Sequence, residues 1–297
     1  MESVRVANNS IDIEPNSIFH ELDVFSDNKS NSYDCMNVGS GCIFTGSFTF
    51  SSISVRKIII NDGCCIDGFG VFSKGLYEEI EIRPRTNIDG PYSFQYCSYL
   101  NRVQIDKNVE IAGLHSFSCC SMAELILGTG IRLVGTGIFF SCKNIKYLEI
   151  PDDAYIEGSI IFAQCVNLKT IRFRNNITIR GNYIFSLCES LEVVYFGDNV
   201  SIYGEENFNG CLNITTIEHG DNFLNEDETL RIFQKLYNRV QLEEIPEGVV
   251  ECSICLQLFD KKSVVVQTIC GHYFNKSCLC AWLVQKKTCP ICRALLL

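Results

Sequence analysis

The densest chemistry in this chain lies near its C-terminus, in four short groups: Cys252-x2-Cys255, Cys270-x-His272, Asn275-x2-Cys278 and Cys289-x2-Cys292. Thiolates and imidazoles are the donors zinc takes in tetrahedral geometry. Each Cys-x2-Cys pair aims two thiolates at one ion, and Cys-x-His adds an imidazole at a similar reach. The spacing is that of a module holding two zinc ions. So short a segment buries too little apolar surface to fold unaided, whereas structural zinc contributes about 10–16 kcal/mol of apparent binding free energy that becomes folding free energy.

The chain has 297 residues, 46% of them apolar, which leaves room for a second and larger globular domain. A net charge of -10 argues against a nucleic-acid partner, because phosphate binding needs a concentrated positive face. Residues 1–10 lack the basic and apolar runs of a secretory signal, and no stretch is apolar enough to span a membrane. The expectation is therefore a soluble, cytoplasmic protein with no membrane partner. Of 18 cysteines, six are zinc ligands by spacing, and Cys280 sits among them. Six more recur at regular intervals and expose the second domain.

Aligned on Ile-x-Gly-x3-Phe, the chain shows glycines at 46, 68, 90, 113, 135, 158, 181 and 204, every 22 or 23 residues. A cysteine follows the phenylalanine by three positions in six consecutive cycles, at Cys97, Cys120, Cys142, Cys165, Cys188 and Cys211. Alternating apolar pairs come next, such as Val103/Ile105, Leu148/Ile150 and Val194/Phe196. In the 22-residue cycles opened by Phe50, Phe72 and Phe117 the pair arrives one residue early, which places the missing residue between phenylalanine and strand. Short alternation at a fixed period in the twenties predicts a solenoid of stacked coils. Each glycine marks a tight bend, each phenylalanine fills a turn, and each pair faces the core from a parallel strand.

The Phe-x2-Cys-x2-Leu-x2-Ile signature resembles the BspA-like leucine-rich repeat family, over residues 41–219. It implies a mostly β fold, a curved right-handed solenoid of about eight coils over residues 41–225, used for protein contacts. Stacking sets equivalent cysteines about one strand spacing, roughly 4.8 Å, apart, so disulfides are sterically possible. A reduced, packed ladder is the favoured alternative, because cysteine behaves as a small buried hydrophobe. On the outward face, Ile126, Tyr147, Val193 and Tyr195 form a candidate strip for a protein substrate. Residues 1–40 read as a polar lead-in with a partial first coil. From Asp227 to Gln241, Leu230, Phe233, Leu236, Tyr237 and Val240 have helical spacing, which predicts an amphipathic helix within a 226–249 joint. A lid on the last coil is its favoured role, ahead of a dimerisation helix.

Within the zinc segment, Ile254 lies inside the first cysteine pair, Trp282 four residues after Cys278, Pro290 inside the last pair and Arg293 just beyond it. With the ligand spacing, this resembles the RING finger of ubiquitin ligases, over residues 252–293 of a 250–297 domain. PHD fingers carry their tryptophan just before the seventh ligand, whereas Trp282 lies seven residues before Cys289. The resemblance implies interleaved sites, with Cys252, Cys255, Asn275 and Cys278 at the first zinc and Cys270, His272, Cys289 and Cys292 at the second. Asn275 departs from the family, which has His or Cys there. An amide oxygen, a water or Cys280 could complete that site. The resemblance further implies partnership with ubiquitin and a ubiquitin-conjugating enzyme docked on Ile254, Trp282 and Pro290. Arg293 would orient the transfer, with no nucleophile on this chain. The alternative is a non-enzymatic scaffold stapled by zinc. Oligomeric state is not legible.

Overall fold

In the computed structural model, the described residues are 3–20, 31–219 apart from 212 and 215, 237–240, and 244–296 apart from 261, 262, 264, 276, 277, 280, 281, 283–285, 287 and 295. Each coil contributes one strand to each of two parallel walls. One wall runs Ser10–Ile13, Ser32–Val38, Ser54–Ile60, Glu79–Ile82, Arg102–Ile105 and Glu124–Leu127, opened by the antiparallel strand Val4–Ala7. After a break it resumes as Tyr147–Ile150, Thr170–Phe173, Val193–Phe196 and Thr216–His219. The other wall is a continuous sheet of nine short strands from Ile18–Phe19 to Ser201–Tyr203.

Among the described residues nine complete coils thus stack, one more than the glycine ladder counts, and Thr216–His219 adds a tenth parallel strand to the first wall. The extra one, Ser10 to Phe19, lies in the stretch read as a lead-in and lacks the Gly-x3-Phe signature. Its Ile11, Ile13 and Phe19 are nevertheless buried, and Phe19 stacks on Phe44 at 5.1 Å.

The alternating pairs face inward in register, Ile58 beside Ile80, Val103 and Leu125, then Leu148 beside Ile171, Val194 and Ile217. The ladder phenylalanines form a buried column. Phe94 and Phe117 stack at 4.6 Å, Phe139 and Phe162 at 5.1 Å, and Phe162 and Phe185 at 5.4 Å, with nearly parallel rings. A fully buried phenylalanine contributes about 1.5–3 kcal/mol relative to exposure, so this column is a principal source of stability. The glycines are required by close approach as well as by bending. A Cβ on Gly158 or Gly181 would overlap the carbonyl oxygen of the ladder glycine one coil earlier.

The cysteine column is reduced. Each thiol donates to the carbonyl of the ladder phenylalanine one coil back, Cys120 to Phe94 at 3.1 Å, Cys142 to Phe117 at 3.2 Å and Cys188 to Phe162 at 3.4 Å. The slot is a glycine, Gly75, in the coil opened by Phe72. There the buried Tyr77 swings into the space and donates its hydroxyl to the Phe50 carbonyl at 3.1 Å.

The break in the first wall has a covalent cause. After each strand, an N–H donates to the strand before: Asp106 to Ile82 at 2.8 Å, Gly128 to Ile105 at 2.7 Å and Arg174 to Ile150 at 2.9 Å. Pro151 holds this position after Tyr147–Ile150 and has no N–H to give. The sheet divides there.

The joint differs from its expectation. Tyr237–Val240, the end of the expected helix, is a strand antiparallel to Val265–Thr268. Residues 220–236 and 241–243 lie outside the described residues. Apolar spacing this short suits helix or strand, and pairing with an open strand edge decides between them. Among the described residues no helix is long and apolar enough to cross a membrane.

Candidate metal centre

Two copies of one tight turn present the paired cysteines. In the first, the Leu256 N–H donates to the Cys252 carbonyl at 2.7 Å and the Cys252 N–H to the Gln257 carbonyl at 2.9 Å. In the second, Arg293 donates to Cys289 at 3.0 Å and Cys289 to Ala294 at 2.8 Å. Leu256 and Arg293 share a left-handed backbone, with φ of 59° and 60°. That reversal lets both thiols of each pair point to one side. Cys270 and His272 occupy the turn between Val265–Thr268 and Tyr273–Asn275, where the His272 N–H donates to the Thr268 hydroxyl at 3.1 Å. Asn275 ends that hairpin, and Cys278, Leu279 and Trp282 have helical backbone.

The ligand atoms gather in two groups. Those of Cys270, His272, Cys289 and Cys292 lie within 4.8 Å of one another, as do those of Cys252, Cys255 and Cys278. Groups far apart in sequence are thereby interleaved, first with third and second with fourth. His272 Nδ1 stands 3.4 Å from Cys270 Sγ and 3.6 Å from Cys289 Sγ. Bonds of about 2.3 Å to sulfur and 2.0–2.1 Å to nitrogen at a tetrahedral ion give an S···N edge of about 3.5 Å. The spacing fits zinc.

The electrostatics call for a cation. Burial opposes ionisation of Cys270, yet hydrogen bonds with His272 and Thr268 bring its thiol down to about 6, while burial pushes Cys289 beside it up to about 11. In the other group, hydrogen bonds from the Gln257 backbone and the Asn275 amide hold Cys255 at about 7. Burial and then Cys255 push Cys278 up to about 11. Neither group carries all its thiolates at neutral pH without a compensating charge, which a divalent metal supplies.

Against known proteins, the model for the BspA type leucine rich repeat region matches in six copies, over residues 23–146 and 111–238. The chain belongs to this family. The Ring finger domain model matches residues 250–293, and a RING finger binds zinc. The RING-H2 finger protein ATL34 of Arabidopsis thaliana is 44% identical over 60 residues, 20% of this chain and 18% of that protein. E3 ubiquitin-protein ligase ATL31, also of Arabidopsis thaliana, is 38% identical over 68 residues, 22% of this chain and 18% of that protein. The chain therefore spans less than a fifth of the length of these curated relatives. A leucine-rich repeat protein from Bacteroides ovatus superposes with a TM-score of 0.40 at 16% identity, covering 73% of this chain and 75% of that one.

Of the expected docking residues of this RING finger, Ile254, Trp282 and Pro290 are half-buried and Arg293 is exposed. The Trp282 indole N–H donates to the Thr288 carbonyl at 2.8 Å, and the Lys286 ammonium lies 5.5 Å from the ring centroid. Sequence reasoning passed over Leu256 and Ile291, 70% and 49% exposed. They occupy in one turn the places that Arg293 and Ile254 hold in the other, an internal symmetry the paired motifs could have disclosed. Cys280 lies outside the described residues.

On the solenoid, Ile126 is exposed beside a cleft lined by Gln104, Asp106 and Thr129. Tyr147 and Val193 share one row with Thr170 between them, and Tyr195 in the next row lies under the Arg172 guanidinium, 4.4 Å from its ring centroid. The four are spread over two rows and across the Pro151 break, without forming one strip. A more continuous row was not anticipated: Phe48, Phe69, Tyr92, His115 and Phe140 meet in succession along the turns, with centroids 5.0–5.9 Å apart, stacked at Tyr92 and His115 and tilted or edge-on at the other contacts. For its first four members the signal, an aromatic ring one or two residues after successive ladder glycines, is present in the sequence.

Proposed function

We propose that this chain is a RING-type ubiquitin ligase whose zinc module recruits a ubiquitin-conjugating enzyme and whose solenoid holds the protein substrate. The observation that carries this reading is the interleaving of two Cys/His groups within a segment that matches the RING finger and is similar to named ligases. Bound zinc supplies structural staples, fixing both cysteine turns and the segment between them.

The chain's own residues then act by docking and orientation. Ile254, Trp282 and Pro290 offer an apolar contact to the conjugating enzyme. Arg293, held at a turn with an exposed guanidinium, offers five donors in a planar fork that can bridge that enzyme and its thioester-linked ubiquitin. Restricting the loaded ubiquitin to orientations open to a substrate lysine accelerates transfer with no nucleophile on the ligase. The work would take place in the cytoplasm.

The test is ubiquitin-chain formation by purified chain, activating enzyme, a panel of conjugating enzymes, ubiquitin and ATP. Chains form with the native protein. Ile254→Ala and Arg293→Ala each abolish them, with zinc content and circular dichroism unchanged. Full activity in both variants refutes this assignment.

A further inference from the structure

The second metal group has four donors of ordinary zinc type, whereas among the described residues the first has three thiols. Beside those thiols stands Asn275, at the end of the strand Tyr273–Asn275. Its amide nitrogen lies 3.4 Å from Cys255 Sγ, the same separation as His272 Nδ1 from Cys270 Sγ in the complete site. The complete site thus calibrates the incomplete one: a terminal atom of Asn275 sits where a fourth donor belongs. Nδ1 of histidine and the terminal atoms of asparagine are all bonded to Cγ, so either side chain reaches the same point from one backbone position.

The amide nitrogen has no lone pair to offer a metal, but the oxygen does, and a half-turn of the amide exchanges them. That oxygen is sealed from solvent and, among the described residues, meets no hydrogen-bond donor. A buried carbonyl oxygen left so costs about 1–3 kcal/mol. Turned toward a cation held by three thiolates, it gains a partner.

We infer that the Asn275 amide oxygen completes the first metal site with Cys252, Cys255 and Cys278, making this the weaker and faster-exchanging of the two sites. The charge is the same as with a neutral histidine, because both fourth donors are neutral. The donor is harder, however, and an oxygen suits zinc less well than imidazole beside soft thiolates. Loss of an outer-shell partner alone lowers metal affinity by roughly 10–100-fold, and a replaced ligand atom lowers it no less. This inference rests on the RING reading for the presence of zinc, yet its test needs no ubiquitin transfer.

The zinc-loaded full chain is challenged with a chromogenic chelator while native mass spectrometry counts bound metal. Expected are two phases of one zinc each, the first at least about tenfold faster. Asn275→His slows the fast phase toward the slow one. Asn275→Ala removes the fast-exchanging zinc or accelerates its release, whereas Asn275→Asp, which keeps an oxygen in place, retains it. Cys280→Ser changes nothing. With cobalt in both sites, thiolate charge-transfer absorbance corresponds to six bound thiolates, three per site. Release in one phase, a seventh thiolate, loss of the fast zinc in Cys280→Ser, or an Asn275→Ala variant with native release kinetics overturns the assignment. Failure of chain formation with two-phase release intact would count against the ligase reading alone.

Discussion

Gly75 and Tyr77 offer a quantitative test of how the solenoid fills its cysteine slot. A Cβ added at Gly75 would fall inside the Tyr77 ring, so Gly75→Cys alone must expel a fully buried phenol. Overpacking of this kind costs about 3 kcal/mol or more. Tyr77→Met alone opens a small cavity and removes the hydroxyl bond to the Phe50 carbonyl, together about 2 kcal/mol. The double variant rewrites the coil as its 22-residue counterpart, where Cys120 and Met122 are both buried and the thiol donates one coil back at 3.1 Å. Its net cost should fall to about 1 kcal/mol, a coupling of about 4 kcal/mol, above the roughly 0.5–3 kcal/mol usual for residues in direct contact. Urea unfolding of the four proteins, followed by circular dichroism in reductant, completes the cycle. If the double variant loses at least the sum of the singles, the idea that thiol and phenol serve the same slot is wrong.

Burial raises the thiols of Cys97 and Cys142 well above their ordinary range. Stability from keeping them protonated is therefore intact below about pH 8.5, where unfolded thiols begin to ionise, and declines as pH rises further. Urea midpoints from pH 7 to 9.5 should show this fall, and Cys97→Ala/Cys142→Ala should flatten it; an equally steep fall in the variant excludes these groups as its source. Pro151→Ala restores a donor facing the break and should add about 0.5–1.5 kcal/mol with a protected amide at residue 151; rapid hydrogen exchange there would show that the wall divides for another reason. Chelation of zinc should unfold residues 250–293 and leave the solenoid transition in place, read by tryptophan fluorescence of Trp282 against the far-ultraviolet signal. Simultaneous loss of both signals would contradict it.

Much of the architecture was legible because it is written in covalent spacing. A glycine and a phenylalanine every 22 or 23 residues, with an alternating pair between, can bury the phenylalanines only by stacking coils. The Cys and His intervals near the C-terminus likewise announce metal, because a thiol's reach from its own backbone is fixed. The first coil was legible only as a partial one because Ile11, Ile13 and Phe19 are buried without the signature their successors share. The strand at Tyr237–Val240 was hidden because helical spacing says nothing about a distant strand edge that offers partners.

By itself, the sequence determined the repeat, its period, the slots for glycine, phenylalanine and cysteine, and the chemical class of the metal site. Only the tertiary structure decided that the ladder thiols donate to carbonyls one coil back, that Tyr77 replaces one of them, that Pro151 divides the wall, and that the Asn275 amide stands 3.4 Å from Cys255 Sγ with its oxygen buried and, among the described residues, without a donor. The reason is distance along the chain. Spacing fixes what a residue can reach from its own backbone, but the partner supplying the other half of each bond arrives from some 20 or more residues away, once the coils and the zinc turns have closed.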